Sequence, residues 1–540
     1  MRLSLYVCLS ILLLSCNKSI KVDLIVYNAL IYTVDNQFST AESMAVKDGK
    51  IVAIGKNNDI DRKYSSEQRV DAKNKPIFPG LIDAHCHFTG YGLDLYKLNL
   101  IGTKSWDEIL SKVLDYSKSY KDNWIYGRGW DQNDWADKSF PDNSKLDSLF
   151  PDRPVYLKRI DGHAVIANSK ALSLANISVN TKVDGGEVLV KNGKLTGVLI
   201  DNAFKLVEDI IPQLDKKKAI NYLAQASDSC FQYGLTTVVD CGVDDNVIQW
   251  LDEAQKNGNV KMRVVALLSD NGINYNKYIK LGSIKNNLLN INGFKLYSDG
   301  ALGSRGACLS EEYSDMPGHR GFLLRSKTYF DSIINVISKT NFQVCTHAIG
   351  DSANRVILNA YGKFLVKNND KRWRIEHAQM VHPIDFELFG KFNIIPSVQP
   401  THATSDMYWA GDRIGKERLK SAYSYKQLLE QNGWIPLGTD FPVEYINPFF
   451  TFYSAVARKD GNNFPTNGFQ MENALTREEA IKGMTIWAAK GSFEENEKGS
   501  LEVGKFADFV ILDTDLMKDP IEKTRNTKVI STWIGGKKVY

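Results

Sequence analysis

Eight short apolar runs, separated by stretches with helical periodicity, constrain the fold of this chain more than any other feature. They are Leu81–His85, Thr236–Asp240, Arg263–Leu268, Gly293–Tyr297, Gln343–His347, Arg374–His377, Ile394–Val398 and Ile435–Asp440. Such alternation is the pattern of parallel βα units, and eight of them close a TIM (β/α)8 barrel. Periodicity alone does not fix eight, because Pro154–Ile160 is a ninth candidate. We place it in an insertion at about 100–215, after the first barrel strand and before the helix that leads into the second.

Both ends read as β-rich. DLIVYNALIYTV and SMAVKDGKIVAIG follow residue 22, and KFADFVILDTDL and VISTWIGGKKVY close the chain. Alternating apolar residues with Asp-Gly or Gly punctuation predict hairpins. The expected organisation is a composite β-sandwich from 22–78 with 500–540, and a barrel over 79–499 that carries the insertion.

Residues 1–16, MRLSLYVCLSILLLSC, read as a targeting segment. Arg2 is its positive start, and Leu3–Leu14 is too short an apolar run to span a bilayer. The ending Leu-Leu-Ser-Cys resembles a bacterial lipoprotein signal, with the lipid on Cys16; an ordinary secretory signal is the alternative. Asn17 is not acidic, so the expected location is the cell envelope, on an outer membrane and facing the periplasm. Five cysteines lie beyond this segment. They are too few and too scattered for a disulfide framework, and Cys86, Cys241 and Cys345 read as buried thiols.

Composition narrows the function classes. The 540 residues carry 67 Lys plus Arg and 63 Asp plus Glu, a net charge of +4. No polycationic surface follows, so nucleic acid is not an expected partner. An apolar content of 43% with 24% charged residues excludes a disordered or collagen-like chain. The oligomeric state is open.

The chemistry sits at strand ends. In Asp83-Ala84-His85-Cys86-His87 the two histidines are two residues apart, so they share one face of a strand and can hold one metal ion. His347, His377 and Asp440 each close a further strand. Barrel active sites form at the carboxyl ends of the strands, so four histidines and an aspartate converge on one mouth. Lys295 lies inside the apolar run GFKLY, where a lysine is costly unless paired or modified. It is either salt-bridged to a mouth carboxylate or carboxylated by CO₂ to a carbamate that bridges two metals.

The ordered set His85-x-His87, Lys295, His347, His377 and Asp440 resembles the amidohydrolase superfamily. More narrowly it is similar to the amidohydrolase-3 branch, which includes N-substituted formamide deformylases. PGLIDAHCHFTGYG, RIDGHAVIANSKAL, FKLYSDGALGSRGA, THAIGDSANR, RIEHAQ, GTDFPVE and GSLEVGKFADFVILD carry the same resemblance over nearly the whole chain. It implies a TIM barrel with a β-sandwich made from both ends, and one or two divalent metals, usually zinc. In the two-metal form His85, His87 and Asp440 hold one ion and His347 and His377 the other, with carboxylated Lys295 between them. An unmodified Lys295 leaves a one-metal site. The resemblance also makes His163 a candidate for contacting the substrate carbonyl; a structural role tying the insertion to the barrel is the other reading.

This set implies a hydrolase that cleaves a non-peptide carbon–nitrogen bond, amide or N-acyl, in a small molecule by metal-activated hydroxide. Asp440 is the general base and then the general acid. An esterase, lactonase or cyclic-amide hydrolase could use the same site, and a tethered binding protein without turnover is the rival of another class. His319 and His382 read as surface residues, and His402 as a candidate mouth residue. Trp124, Tyr126, Trp130 and Trp135 form either a wall over the mouth or the core of the insertion. Arg128 either steers an acidic substrate or pairs with Asp131 or Asp134.

Overall fold

The computed structural model describes residues 19–212 and 214–540. The targeting segment, with Cys16, lies outside the described residues. Seven parallel strands form the barrel wall: β1 (Leu81–Cys86), β2 (Leu235–Val243), β3 (Arg263–Ser269), β4 (Leu289–Tyr297), β5 (Gln343–Ala348), β6 (Arg374–His377) and β7 (Ile395–Ser397). They pair in that order.

The eighth expected strand is not a regular one. The segment Ile435–Asp440 closes the wall through irregular hydrogen bonds to both edges. Gly438 N–H donates to Val398 O (3.0 Å), Ala84 N–H to Leu437 O (3.1 Å) and Asp440 N–H to His85 O (2.8 Å). Asp83 completes the seam by accepting from Thr439 N–H (3.0 Å) and Thr439 Oγ1 (2.7 Å). A Cβ on Gly438 would sit 2.5 Å from His85 N, so only glycine permits this approach. The fold is a TIM barrel, with one stave fastened partly by a side chain instead of a ladder.

Helices cover the wall by burying one face. In Lys216–Gln232, Asp215 caps the first turn by accepting from Lys217 and Lys218 N–H. Leu223, Ala226 and Cys230, at spacings of three and four, are buried against the barrel. Each fully buried leucine of this kind contributes about 2 kcal/mol.

The chain between β1 and β2 builds its own six-stranded mixed sheet, in the spatial order Leu98–Asn99, Ile125–Trp130, Val155–Arg159, Ala164–Ala167, Lys194–Asp201, Gly186–Lys191. The ninth candidate run is its third strand. Alternation sends Ile125 into one core and Tyr126 into another with Trp124 and Tyr156, and the irregularity between Arg128 and Trp130 returns Trp130 to the first core, with Trp135. The tryptophans are therefore interior residues of the insertion. Arg128 corrects the expectation: its guanidinium donates to Ile160 O (3.2 Å) and faces Asp94 (3.7 Å), not Asp131 or Asp134.

Two further sheets lie at the barrel foot. One contains Lys50–Gly55, Ser43–Lys47, Leu24–Tyr27 and Gln68–Asp71. In the other, Phe509–Leu512 pairs with Pro76–Pro79, so strands from both ends of the chain share one sheet. Their common core joins Leu24, Val26 and Ile77 to Phe509 and Trp533. Buried Arg263, at the start of β3, grips Asp508 (2.7 Å) and ties this unit to the barrel.

Candidate metal centre

Six of the eight histidines meet at the carboxyl ends of the barrel strands. The His377 ring centroid lies 4.7 Å from that of His85 and 4.6 Å from that of His347. His87 stands 5.6 Å from His85, His163 5.0 Å from His347, and His402 6.0 Å from His377.

Outer partners aim these rings. His85 Nδ1 donates to Glu376 Oε2 (2.5 Å), His87 Nδ1 to Cys241 O (2.8 Å) and His377 Nδ1 to Gln399 Oε1 (2.8 Å). That leaves Nε2 of His87 and His377 on the cavity side and Nε2 of His85 facing Asp440 behind it, the arrangement that metal-ligating imidazoles adopt. Asp440 Oδ1 lies 3.2 Å from His87 Nε2 and 3.4 Å from His85 Nε2, yet it is buried with no hydrogen-bond partner. These atoms converge on a common point instead of bonding to one another. Ligand atoms of His85, His377 and Asp440 all lie within 4.8 Å of one another, a group that small side-chain movements bring within reach of one ion at bonds of roughly 2.0–2.2 Å.

The electrostatics match such a donor set. Burial pushes His87 down to about 4 and His347 and His377 well below the ordinary histidine value, keeping them in the neutral form that ligates. Burial raises the Asp440 carboxyl, but the imidazoles of His402, His85 and His87 outweigh it and hold the group well below its usual range. His85 behaves oppositely: burial disfavours its charge, while Cys241, Glu376 and Asp440 lift it well above the usual value. That excess of negative character around His85 suits a cation.

Lys295 is fully buried, with Nζ 3.5 Å from His85 Nε2 and 4.6 Å from the Tyr297 ring centre. It forms no ion pair among the described residues, so the salt-bridged reading has no partner here. His347 Nε2 lies 3.5 Å from Gly300 O and 3.6 Å from Asp299 Oδ1.

Backbone geometry at the rim is unusual. His377 (φ 75°), Ala378 (φ 42°) and Asp440 (φ 63°) all adopt left-handed conformations without being glycine. Such residues persist only where their surroundings over-determine them, and they gather at functional sites.

Of the residues expected from the sequence, His87, Lys295, His347, His377, Asp440 and His163 line one cavity of about 310 Å³, and fully buried His85 stands just behind it, its Nε2 3.4 Å from Asp440 Oδ1. Sequence reasoning underrated His402, whose Nε2 lies 3.2 Å from Asp440 Oδ2 and whose Nδ1 lies 3.3 Å from Glu444 Oε1. It missed Glu376 and Arg374, although two charged residues in the short apolar run RIEH were a readable signal. Arg374 Nε meets Glu376 Oε1 at 2.7 Å, with both side chains fully buried. His319 and His382 are both half-buried and stand apart from the cavity, with His319 Nε2 2.8 Å from Arg305 O.

The amidohydrolase family model matches residues 68–540. The chain belongs to the amidohydrolase family. It is 33% identical to the protein LONG AFTER FAR-RED 3 of Arabidopsis thaliana, over 96% of this chain and 91% of that one. It is 24% identical to the N-substituted formamide deformylase of Arthrobacter pascens, over 95% and 97% of the two chains. A solved structure of an uncharacterized metal-dependent hydrolase from Pyrococcus furiosus superimposes with a TM-score of 0.73 at 29% identity, covering 92% of this chain and all of that one. Family, barrel and donor set agree on a metal-dependent hydrolase of the amidohydrolase superfamily.

Proposed function

We propose that this amidohydrolase cleaves a non-peptide carbon–nitrogen bond, an amide or N-acyl group such as N-formyl, in a small molecule. One observation carries the reading: the unpartnered Asp440 Oδ1 lies 3.2 Å from His87 Nε2 and 3.4 Å from His85 Nε2, in a carboxylate that lines the cavity together with His87 and His377. The formamide deformylase, similar over nearly its whole length, acts on a bond of this class by its name.

His85, His87 and Asp440 would hold one zinc ion and His347 and His377 a second, with Lys295 between them as a carbamate. When bound, the metal supplies Lewis acidity toward the substrate carbonyl and lowers the pKa of water. The protein does the rest. Asp440 takes the proton of the attacking water and passes it to the departing nitrogen. His402 holds the other oxygen of Asp440, so the carboxylate keeps one orientation through both transfers. His163 reaches the cavity from the insertion and faces the carbonyl. Ile160, Leu302 and Trp409 give the wall an apolar face that excludes bulk water. The volume suits a small molecule.

The test is turnover of N-formyl, N-acyl and ester chromogens by the body beyond Cys16, with and without chelator. Chelator-sensitive amide cleavage is expected. Ester-only turnover would move the assignment to an esterase or lactonase, and tight binding without turnover to a binding protein. We also propose export with a lipid on Cys16, supported by the sequence of residues 1–16. Fatty-acid labelling that disappears in Cys16→Ser is the expected result. No helix among the described residues is long and apolar enough to cross a membrane.

A further inference from the structure

We propose that Asp201 is the positioning residue of the site: from the insertion sheet it fixes the His163 ring so that Nε2 faces the reacting carbonyl. This rests on the function proposed above. His163 Nδ1 lies 2.6 Å from Asp201 Oδ1, and Asp201 N–H donates to His163 O (2.9 Å). Asp201 therefore holds the ring and the backbone of His163 together. The remaining ring nitrogen has only the cavity side left, where His347 stands 5.0 Å away between centroids.

The placement of Asp201 is costly in every respect that packing alone would avoid. The residue is 3% exposed, and its Oδ2 has no hydrogen-bond partner. Its backbone is left-handed at φ 51°, where a non-glycine residue is strained. A buried carboxylate oxygen without a partner calls for a reason, and holding a ring that reaches the substrate is one. The loop after β4 is shaped around it. A Cβ on Gly300 would come 2.3 Å from Asp201 Oδ2, and one on Gly306 would come 2.4 Å from it. Two glycines thus form a slot from the barrel that grips a carboxylate from the insertion. The catalytic reach of His163 depends on how the two units dock.

The test compares wild type, Asp201→Ala, His163→Ala and the double variant on an N-formyl arylamine chromogen. Metal content per chain, melting temperature and the imidazole N–H resonances of ¹⁵N-histidine-labelled protein are read alongside. Asp201→Ala is expected to lower kcat by 10- to 100-fold, the range for outer-shell partners, with metal content unchanged. In the His163→Ala background it should lower kcat no further. One strongly downfield N–H resonance should be missing from both single variants. Gly306→Ala, which leaves both side chains in place, should reproduce the kinetic loss and displace that resonance. Losses that multiply in the double variant, or a resonance that survives Asp201→Ala, would overturn the proposal. If wild type turns over no acyl substrate, the proposed function fails, and the resonance alone still decides whether Asp201 holds His163.

Discussion

His85 Nδ1 lies 2.5 Å from Glu376 Oε2, with both side chains fully buried and Glu376 clamped from behind by Arg374. Burial raises the Glu376 carboxyl, but the charges of Arg374 and His85 hold it far below the usual range. Glu376→Gln keeps the shape and removes the charge. It should weaken metal binding 10- to 100-fold, read by titration with a competing chelator. Leaving Arg374 without its ion partner should also cost about 3–5 kcal/mol in chemical denaturation.

Lys295→Ala tests the bridging ligand. Two ions per chain falling to one or none, by elemental analysis, is the expected outcome. An unchanged ratio would place Lys295 outside the metal shell. Chelator should abolish wild-type turnover and added zinc restore it.

His402→Ala should lower kcat by about 10² while metal content stays level, because the orientation of Asp440 is lost and its ligand atom is kept. Steady-state kinetics with metal analysis on the same sample checks both halves.

Gly438→Ala should fail at the seam. Its Cβ would meet His85 N at 2.5 Å and His85 O at 2.7 Å, so the last stave must shift and carry Asp440 with it. Reduced melting temperature together with reduced metal content is expected.

Asp315 binds Arg305 and Arg413. Burial raises its carboxyl, but the two guanidiniums prevail and depress it below the usual value. A depressed carboxylate contributes stability above its unfolded pKa of about 3.9 and loses it as pH falls through the lower, folded value. Urea midpoints should therefore fall from about pH 4 downward in wild type, and less steeply in Asp315→Asn.

The barrel and its rim were legible because both depend on local spacing. His85 and His87 share a face by the two-residue period of a strand, His347 and His377 lie at the ends of apolar runs that form strands, and Asp440 closes an apolar run that forms the irregular last stave. The partners that aim these groups were less legible. Glu376 and Arg374 sit one and three residues before His377, yet their inward direction follows from the register of β6 against β5 and β7. The pairing of Arg128 was not legible either, because Asp94, 34 residues away in sequence, comes closer to it than Asp131 or Asp134.

The amino-acid order by itself determined the periodicities, the strand-end histidines and the family, since each is written in spacings of a few residues. Only the tertiary structure decided that Ile435–Asp440 closes the wall through the side chain of Asp83, that His402 holds Asp440, and that Asp201 meets His163 from 38 residues away. Those pairings come from sheet register and from how closely glycine lets two backbones approach, and neither is encoded in any short stretch of chain.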